Sequence, residues 1–398
     1  MKITRKGLAI GSFVVAYYGL IPTFNLMLVR SSDSTFGLLA PMYMLGILLV
    51  LLTVLLFNRN IKRISSSYIV VLLSIIVTFV LTQVNHSPTT VESSFFIMMT
   101  IIPFTIPQFI SVDAKTVLKL LMILPSFGIL FANSLFLSIE DSLGMDLSYA
   151  LLLPVISSIV YGFTYLKNEN KNQKVMLIIV LAINVFYFIY ILLFGSRGPS
   201  LCVVLSFVFM WCWNRDKYSS GIKMHWKRLF TIAISIVVLV TYFEFFLYGF
   251  RDLLSSMGFE AYTLDTMIRY YEMGDLSDGR EDINMLAWRG IMDSPFIGHG
   301  ISSSERFTGH PYPHNFLLQL LLDGGAILFL LVMIPMLKAF LKGWKSYSYD
   351  EILMITVLFF ASVPGALFSL DMWENARLWL FMGFLFSYRF KFDNQIKI

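Results

Sequence analysis

A histidine stands at the junction between a proline-rich segment and a long apolar segment. Pro311 and Pro313 flank Tyr312 and keep the chain extended up to His314, and the apolar residues that follow predict a helix. His314 is therefore expected at the start of a membrane helix, where an imidazole can exchange protons near neutral pH. The alternative is an interfacial histidine whose ring forms its hydrogen bonds with the backbone.

Two arginines are candidates for binding phosphate. Arg280 lies in the first turn of a predicted helix, with Asp278 as its cap, Glu281 as the capping-box partner and Pro295 just beyond its end. The start of a helix already attracts anions, and a guanidinium adds to that attraction. Arg197 lies in a Gly-Ser-Arg-Gly turn before a short apolar segment, so it is expected near the membrane plane. Either arginine could instead be a surface or snorkelling residue.

An acidic residue and two glycines interrupt the apolar segment that follows His314. If the segment is one straight helix, Asp323 lies ~13 Å further along it at 1.5 Å per residue, at a depth where a carboxylate is costly. Alternatively, residues from His314 to Leu322 form a short interfacial helix that turns at Gly324 and Gly325. The sequence leaves both alternatives open.

The rest of the sequence must hold these residues in a membrane. Of the 398 residues, 57% are hydrophobic and only 14% are charged, which excludes a soluble domain of this length. The two cysteines, Cys202 and Cys212, fall in one apolar block, so neither a disulfide framework nor a metal site is expected. The fold class predicted is an all-α polytopic membrane protein. The apolar blocks of the sequence are close in length to the ~20 residues of a membrane-crossing helix. They predict about twelve helices, near residues 8–29, 36–57, 67–84, 94–110, 117–138, 147–166, 175–194, 200–213, 229–248, 314–337, 352–370 and 376–389.

The distribution of positive charge predicts the topology. With the N-terminus inside, every short inside loop carries lysine or arginine, whereas the basic residues of the outer segments are all arginines. The net charge of +5 therefore has a topological origin and gives no reason to expect a nucleic-acid partner. Both termini are predicted on the cytoplasmic side of the inner membrane.

One outer loop is much longer than the others and lies between the ninth and tenth predicted helices. It holds His299 and His310 and ends at His314, and polar residues on a loop above a rigid scaffold are where chemistry is usually found. The alternative is an ordinary soluble cap. The predicted parts of the chain are nine transmembrane helices, the periplasmic loop with short helices, and the last three helices with a cytoplasmic tail, over residues 1–248, 249–313 and 314–398.

Three motifs occur in an order and topology that match a known superfamily. They are the Gly-Ser-Arg-Gly turn at 195–198, the Ser-Asp-Gly-Arg motif at 277–280 and the His-Asn-x-x-Leu-Gln motif at 314–319. Between the last two, the Ser-Pro-Phe-Ile-Gly-His-Gly segment at 294–300 is similar to the superfamily's proline–glycine stretch. On these motifs the sequence resembles the O-antigen polymerase (Wzy) and O-antigen ligase superfamily, and the twelve-helix plan extends the resemblance over the whole chain.

The resemblance implies an inverting transfer of an oligosaccharide that is carried on undecaprenyl diphosphate, without a metal, a cofactor or a nucleotide sugar. The departing lipid diphosphate gains negative charge as the glycosidic bond breaks, and arginines on its oxygens would stabilise the transition state more than the ground state. Arg197 and Arg280 are assigned to this clamp, and Arg289 is a candidate third member.

The incoming sugar hydroxyl is a poor nucleophile and would benefit from a base. His314 is the candidate base, and Asn315 and Tyr312 are expected to orient either the histidine or the sugar. The reserve candidates are His299, His310 and Glu281.

The function predicted is a polymerase that joins undecaprenyl diphosphate-linked repeat units into O-antigen or capsule-type polysaccharide at the outer, periplasmic face. The spacing of Arg289 and Gly300 and the compact Pro-Tyr-Pro-His-Asn entry favour a polymerase over a ligase that moves the finished chain to lipid A-core. A transporter of the same lipid is the alternative from another class, but few charges lie at mid-membrane and the polar residues crowd one loop. The partners expected are the lipid-linked oligosaccharide and membrane lipid, with a chain-length regulator as a further candidate.

Overall fold

The computed structural model of the protein describes residues 5–29, 46, 64–86, 96–136, 143–194, 196–214, 223–258, 262–274 and 279–387. Within these ranges the chain is almost entirely helical, and a π-helical turn at Ile97–Ile101, a 3-10 turn at Leu166–Asn168 and two antiparallel two-residue strands, β1 (Trp213–Asn214) and β2 (Lys223–Met224), are small additions. The helices are α1 (Arg5–Val29), α2 (Ser66–His86), α3 (Ile102–Phe109), α4 (Ala114–Phe136), α5 (Leu143–Thr164), α6 (Lys171–Phe194), α7 (Arg197–Cys212), α8 (Trp226–Thr241), α9 (Phe243–Ser256), α10 (Tyr262–Glu272), α11 (Arg280–Asp293), α12 (Ser304–Thr308), α13 (Phe316–Ser346), α14 (Tyr349–Phe360), α15 (Val363–Phe368) and α16 (Ala376–Phe386).

Several helices have the length and composition of membrane spans. Among the described residues, the segments that could cross a bilayer are Ser66–Gln83, Leu147–Thr164, Lys171–Leu193, Phe316–Lys342 and Tyr349–Phe368. The bent pair α8 and α9 would be a sixth if it is counted as one span. These helices confirm the prediction of an all-α polytopic membrane protein. The total of twelve stays a prediction, and the predicted span 36–57 lies, apart from Gly46, outside the described residues.

The chain divides into two compact units, of which the first comprises Met1–Ile21, Leu28–Leu120 and Gly279–Ile398. Its apolar core is formed where α16 packs against α3. There the Gln108 side chain, which is fully buried, donates a hydrogen bond of 2.7 Å to the Gly383 carbonyl. Such a bond between helices matters because a buried amide without a partner would be costly.

The second unit comprises Pro22–Met27 and Leu121–Asp278. In it α5 packs against both α6 and α7. The Asn184 side chain donates to the Ser126 hydroxyl at 2.7 Å, and the Tyr187 hydroxyl donates to the Ser126 carbonyl at 3.1 Å. Polar side chains on α6 therefore fasten it to α4 within an otherwise apolar packing.

Two of the predicted spans are each divided between two helices. The prediction of one continuous span at 229–248 is wrong, because α8 ends at Thr241 and α9 leaves it at an angle of 83°. The change of direction coincides with a change of pattern, from an apolar helix to one with charged residues on one side. The span predicted at 352–370 consists of α14 and α15, and Pro364 occupies the first turn of α15, where a missing N–H costs least.

A further interruption lies inside α13, at Gly325. This residue has φ 63° and ψ −170°, far from helical values, so the helix breaks there. Of the two alternatives that the sequence left open, the structure supports the one in which the helix turns at the two glycines. The predicted interfacial depth of the segment before the break stays a prediction.

The break in α13 is completed by a loop, Pro295–Gly300, which we call the docked loop. In an unbroken helix the Ala326 and Ile327 amides would bond to the Leu322 and Asp323 carbonyls. Instead, all four backbone groups bond to the docked loop. The bonds are Ala326 N to Pro295 O (2.8 Å), Ile327 N to Phe296 O (3.1 Å), His299 N to Leu322 O (2.9 Å) and Gly300 N to Asp323 O (2.8 Å).

Glycine is required on both sides of this contact. A Cβ on Gly298, which has φ 67°, would stand 2.5 Å from the backbone carbon of Asp323. A Cβ on Gly325 would overlap the Phe296 carbonyl. The two backbones therefore approach each other more closely than any side chain would allow.

Substitution of Gly325 tests the importance of this contact. We expect Gly325→Ala to lower the midpoint of thermal unfolding in detergent micelles well below that of Gly309→Ala. Gly309 is the matched control because it also has positive φ, 72°, but a Cβ there meets nothing within 4 Å. The control carries only the backbone strain of roughly 1–3 kcal/mol. Equal losses in the two variants would contradict the tight contact.

Candidate active site

Three aromatic side chains converge at the entry to α13. The His314 ring centroid lies 4.6 Å from that of Tyr312 and 6.4 Å from that of His310. His310 is exposed, whereas Tyr312 and His314 are half-buried. His314 has φ 55°, in the left-handed region that side chains other than glycine seldom adopt. The segment therefore brings together three of the residues singled out in the sequence, and one of them has an unusual backbone conformation.

Asn315 begins the helix that follows. Its side-chain oxygen accepts hydrogen bonds from the Leu317 amide at 3.0 Å and the Leu318 amide at 3.4 Å. These bonds satisfy amides that have no partner inside the helix. The Asn315 side chain thus fixes the direction in which α13 leaves the His314 segment, and its predicted contact with histidine or sugar stays a prediction.

Residues 368–375, which we call the segment before α16, connect the start of α13 with Arg280. The Gln319 side chain donates to Asp371 at 3.0 Å and accepts from the Met372 amide at 3.0 Å. A few residues earlier, the Phe368 carbonyl accepts a hydrogen bond of 2.8 Å from the Arg280 guanidinium. One segment therefore holds both Arg280 and the first turns of the helix that begins after His314.

A second polar contact lies at the break in α13. Asp323 is only 1% exposed, and its carboxyl oxygens accept from the Ser303 hydroxyl at 2.9 Å and from the Trp373 indole N–H at 2.7 Å. Ser303 follows the docked loop, and Trp373 belongs to the segment before α16. The Asp323 side chain therefore joins both segments to α13, and it satisfies a buried hydroxyl and a buried indole.

Two carboxyl groups lie close together in the segment before α16. Burial raises the pKa of Asp371 above its ordinary value, against hydrogen bonds from Gln319 and from the Trp373 and Glu374 amides, which lower it. Loss of water, with a smaller effect of the Asp371 charge, raises the pKa of Glu374 to about 7. Because both pKa values are raised, the folded protein disfavours negative charge on Asp371 and Glu374. The free energy of unfolding of the protein therefore falls as the pH rises through the Glu374 pKa.

The other loop residues singled out in the sequence are more dispersed. The His299 ring nitrogen Nε2 lies 2.8 Å from the Gly290 carbonyl, and its ring packs 4.4 Å from Phe307, so His299 holds α11 to the docked loop. Arg289 and Glu281 are exposed on α11. The helix begins directly after Gly279, and the predicted cap Asp278 lies outside the described residues.

Arg197 belongs to the second unit and lies at the first residue of α7. Its guanidinium carbon is 4.9 Å from the centroid of the Tyr270 ring, and the guanidinium of Arg269 lies 5.3 Å from the same centroid. Two arginines thus share one aromatic ring, an arrangement that cation–π attraction stabilises. The predicted convergence of Arg197 with Arg280 and His314 stays a prediction.

Each of the two units contains side-chain contacts that sequence analysis did not identify. Sequence analysis noted the cost of Asp323 at its depth and included Gln319 in a motif, but it gave neither residue a role; their bonding partners are distant in the sequence. Trp373 and Arg269 carried no local signal, because their partners are distant in the sequence or belong to another helix. In the part of the chain that the structure describes, no three His, Cys, Asp or Glu side chains are grouped to hold a metal ion.

The helical membrane fold and the polar residues around His314 define a membrane protein with a candidate site at one end of a broken helix. Residues 182–333 match the family model described as O-antigen ligase. The match covers less than half of the chain and includes all three sequence motifs, and it supports the resemblance to the O-antigen polymerase and ligase superfamily. The resemblance predicted from the sequence is confirmed. No protein with a curated description matches the chain.

The Asp323 contacts can be tested by two substitutions at one position. Asp323→Asn retains an oxygen for Trp373 and an N–H for Ser303, so we expect its unfolding midpoint to stay close to that of the wild type. Asp323→Ala leaves both partners buried without a bond, which we expect to cost on the order of 2–4 kcal/mol. Thermal unfolding in detergent micelles measures both. If the alanine variant were as stable as the asparagine variant, the two hydrogen bonds would not hold the segments together.

Proposed function

We propose that the protein is a polymerase that joins undecaprenyl diphosphate-linked oligosaccharide repeats into O-antigen or capsule-type polysaccharide. Membership of the superfamily supports an enzyme of the O-antigen ligase or polymerase type that acts on lipid-linked oligosaccharides in a membrane. The polymerase assignment, the inner membrane and the outer face as the place of reaction are parts of this proposal. A chain-length regulator is a candidate partner.

The observation that carries the proposal is the group of rings around His314 and its connection to Arg280. A half-buried imidazole beside Tyr312 and His310 is suited to accept a proton from a sugar hydroxyl. Arg280 bonds to the same segment that holds Gln319, one helical turn beyond Asn315. A base and a cation positioned by one rigid framework are what a transfer between two large substrates needs.

In the proposed reaction, an acceptor hydroxyl oxygen attacks the anomeric carbon of the donor sugar as its bond to the diphosphate oxygen breaks. His314 takes the hydroxyl proton, and the departing lipid diphosphate keeps the electron pair of the broken bond. Arg280 and Arg197 stabilise the charge that grows on the diphosphate, and Arg289 is a third candidate. Tyr312, Asn315, His299, His310 and Glu281 are assigned to binding or orientation.

The ligase is the second candidate, because the matching family model does not distinguish a ligase from a polymerase. A ligase and a polymerase differ in the acceptor, which is lipid A-core in one and a lipid-linked repeat in the other. The arginine-to-glycine spacing between Arg289 and Gly300 and the compact Pro-Tyr-Pro-His-Asn entry favour the polymerase.

Purified protein in lipid, incubated with undecaprenyl diphosphate-linked repeats with and without lipid A-core, tests this choice. We expect a ladder of lengthened glycans on the lipid diphosphate that does not require lipid A-core. We expect His314→Ala to lower its rate of formation about 100-fold or more, because a positioned base contributes that much to proton transfer. Product size on gels shows whether the ladder forms, and single-turnover rates measure the effect of His314→Ala.

The matched control is His225→Ala, since His225 lies just before α8 and takes no part in the proposed site. It should form the ladder at the rate of the wild type. If glycan appeared only on lipid A-core, the polymerase assignment would be wrong and the ligase assignment would replace it. Full turnover in the His314→Ala protein would remove His314 as the base.

A further inference from the structure

The sharp bend between α8 and α9 separates two helices of different character. α8 covers Trp226–Thr241, and none of its residues is buried in the protein. Aliphatic side chains from Ile234 to Val240 are largely exposed on it, including Val237 at 63% and Val240 at 68%. At 1.5 Å per residue the helix is about 24 Å long, which is most of the ~30 Å thickness of the hydrocarbon core. Such a helix is stable only with lipid around it.

α9 continues the chain at 83° to α8 and has two distinct exposed sides. Phe246, Phe250 and Leu253 follow one another at spacings of four and three residues and therefore form one stripe. They are 47%, 46% and 55% exposed, and Met257, 62% exposed, extends the stripe just beyond the helix. The stripe is apolar over its whole length.

The other exposed side of α9 is polar. Glu244, Tyr248 and Arg251 follow the same helical spacing around the opposite side. The Tyr248 hydroxyl donates to Glu272 of α10 at 3.0 Å, and Arg251 forms an ion pair of 2.8 Å with Asp252. Between the two sides, Leu247 and Leu254 are buried, and α9 packs against α10. The helix thus exposes one apolar side and one polar side.

We propose that α9 lies in the plane of the membrane surface and binds the bilayer itself. Phe246, Phe250 and Leu253 enter the boundary between headgroups and acyl chains, and Glu244, Tyr248 and Arg251 remain in water. In this proposal α8 runs along the membrane normal, so α9, at 83° to it, runs nearly parallel to the surface. The apolar stripe is also continuous in sequence with the lipid-facing helix α8, which makes a phospholipid bilayer its occupant. This proposal does not depend on the proposed function.

The position of α9 at the membrane surface also determines the depth of its neighbour, α10. α9 packs against α10, and α10 packs against α6 within the same unit. Tyr270 of α10 is the residue whose ring lies between the guanidinium groups of Arg197 and Arg269. An α9 fixed at the membrane surface therefore keeps this pair of arginines near the depth of lipid phosphates, where guanidinium groups bind readily.

The experiment attaches a nitroxide to single cysteines in the full chain, in nanodiscs of phosphatidylethanolamine and phosphatidylglycerol. The test positions are Phe250→Cys and Leu253→Cys, and the matched control is Arg251→Cys, the neighbour that faces the other way. The native Cys202 and Cys212 are fully buried, and unsubstituted protein measures any labelling at them. Collision rates are recorded with oxygen, which concentrates in lipid, and with a nickel chelate, which stays in water.

We expect a ratio of oxygen to nickel collisions that is severalfold higher at positions 250 and 253 than at 251. Equal ratios at the three positions, with free access of nickel, would overturn the proposal by placing the stripe in water. Protection from both probes, with spin–spin broadening between labels, would overturn it in favour of a second copy of the chain on the stripe. If one test variant does not fold, the other reports on the same stripe.

Discussion

The break in α13 leaves four backbone groups without their helical partners, and the exchange of hydrogen bonds with the docked loop supplies a partner for each of them. In the low-dielectric interior of a membrane protein an unsatisfied amide or carbonyl costs several kcal/mol, so the broken helix requires a second backbone beside it. That backbone leads from α11 to α12 and onward to His314. The docked loop thus lies in the chain between α11, whose first residue is Arg280, and the segment that leads to His314, and we expect it to help position both.

Side-chain contacts extend this framework to the segment before α16. Asp323 connects the break with Ser303 and Trp373, and Gln319 connects the first turns of α13 with Asp371 and Met372. In the proposed reaction, the same polar contacts would reduce the reorganisation needed when the lipid diphosphate and the sugar acceptor bind. His314 adopts its left-handed conformation directly before Asn315, whose side chain caps the first turn of α13.

Much of this arrangement was accessible to sequence analysis, and the exceptions have physical causes. The apolar blocks predicted the helical membrane fold, and Gly324 and Gly325 indicated a turn as one of two alternatives. The glycines at 298 and 300 were read only as part of a motif, because the reason for them is a backbone that approaches from a distant segment. The partnership of Asp323 with Trp373 was hidden for the same reason. The span at 229–248 was predicted as continuous because hydrophobicity persists through the bend, while only the polar side of α9 distinguishes the two helices.

Hydrogen–deuterium exchange of the protein in nanodiscs tests most directly whether the docked loop completes the helix. We expect the amides at 299–300 and 326–327 to exchange slowly and at similar rates, and Gly298→Ala to accelerate both groups together. Exchange of the loop amides at the rate of an unstructured peptide, with 326–327 still protected, would show that the loop does not complete the helix. In that case another partner would satisfy the broken helix, and the loop would not position Arg280 and His314.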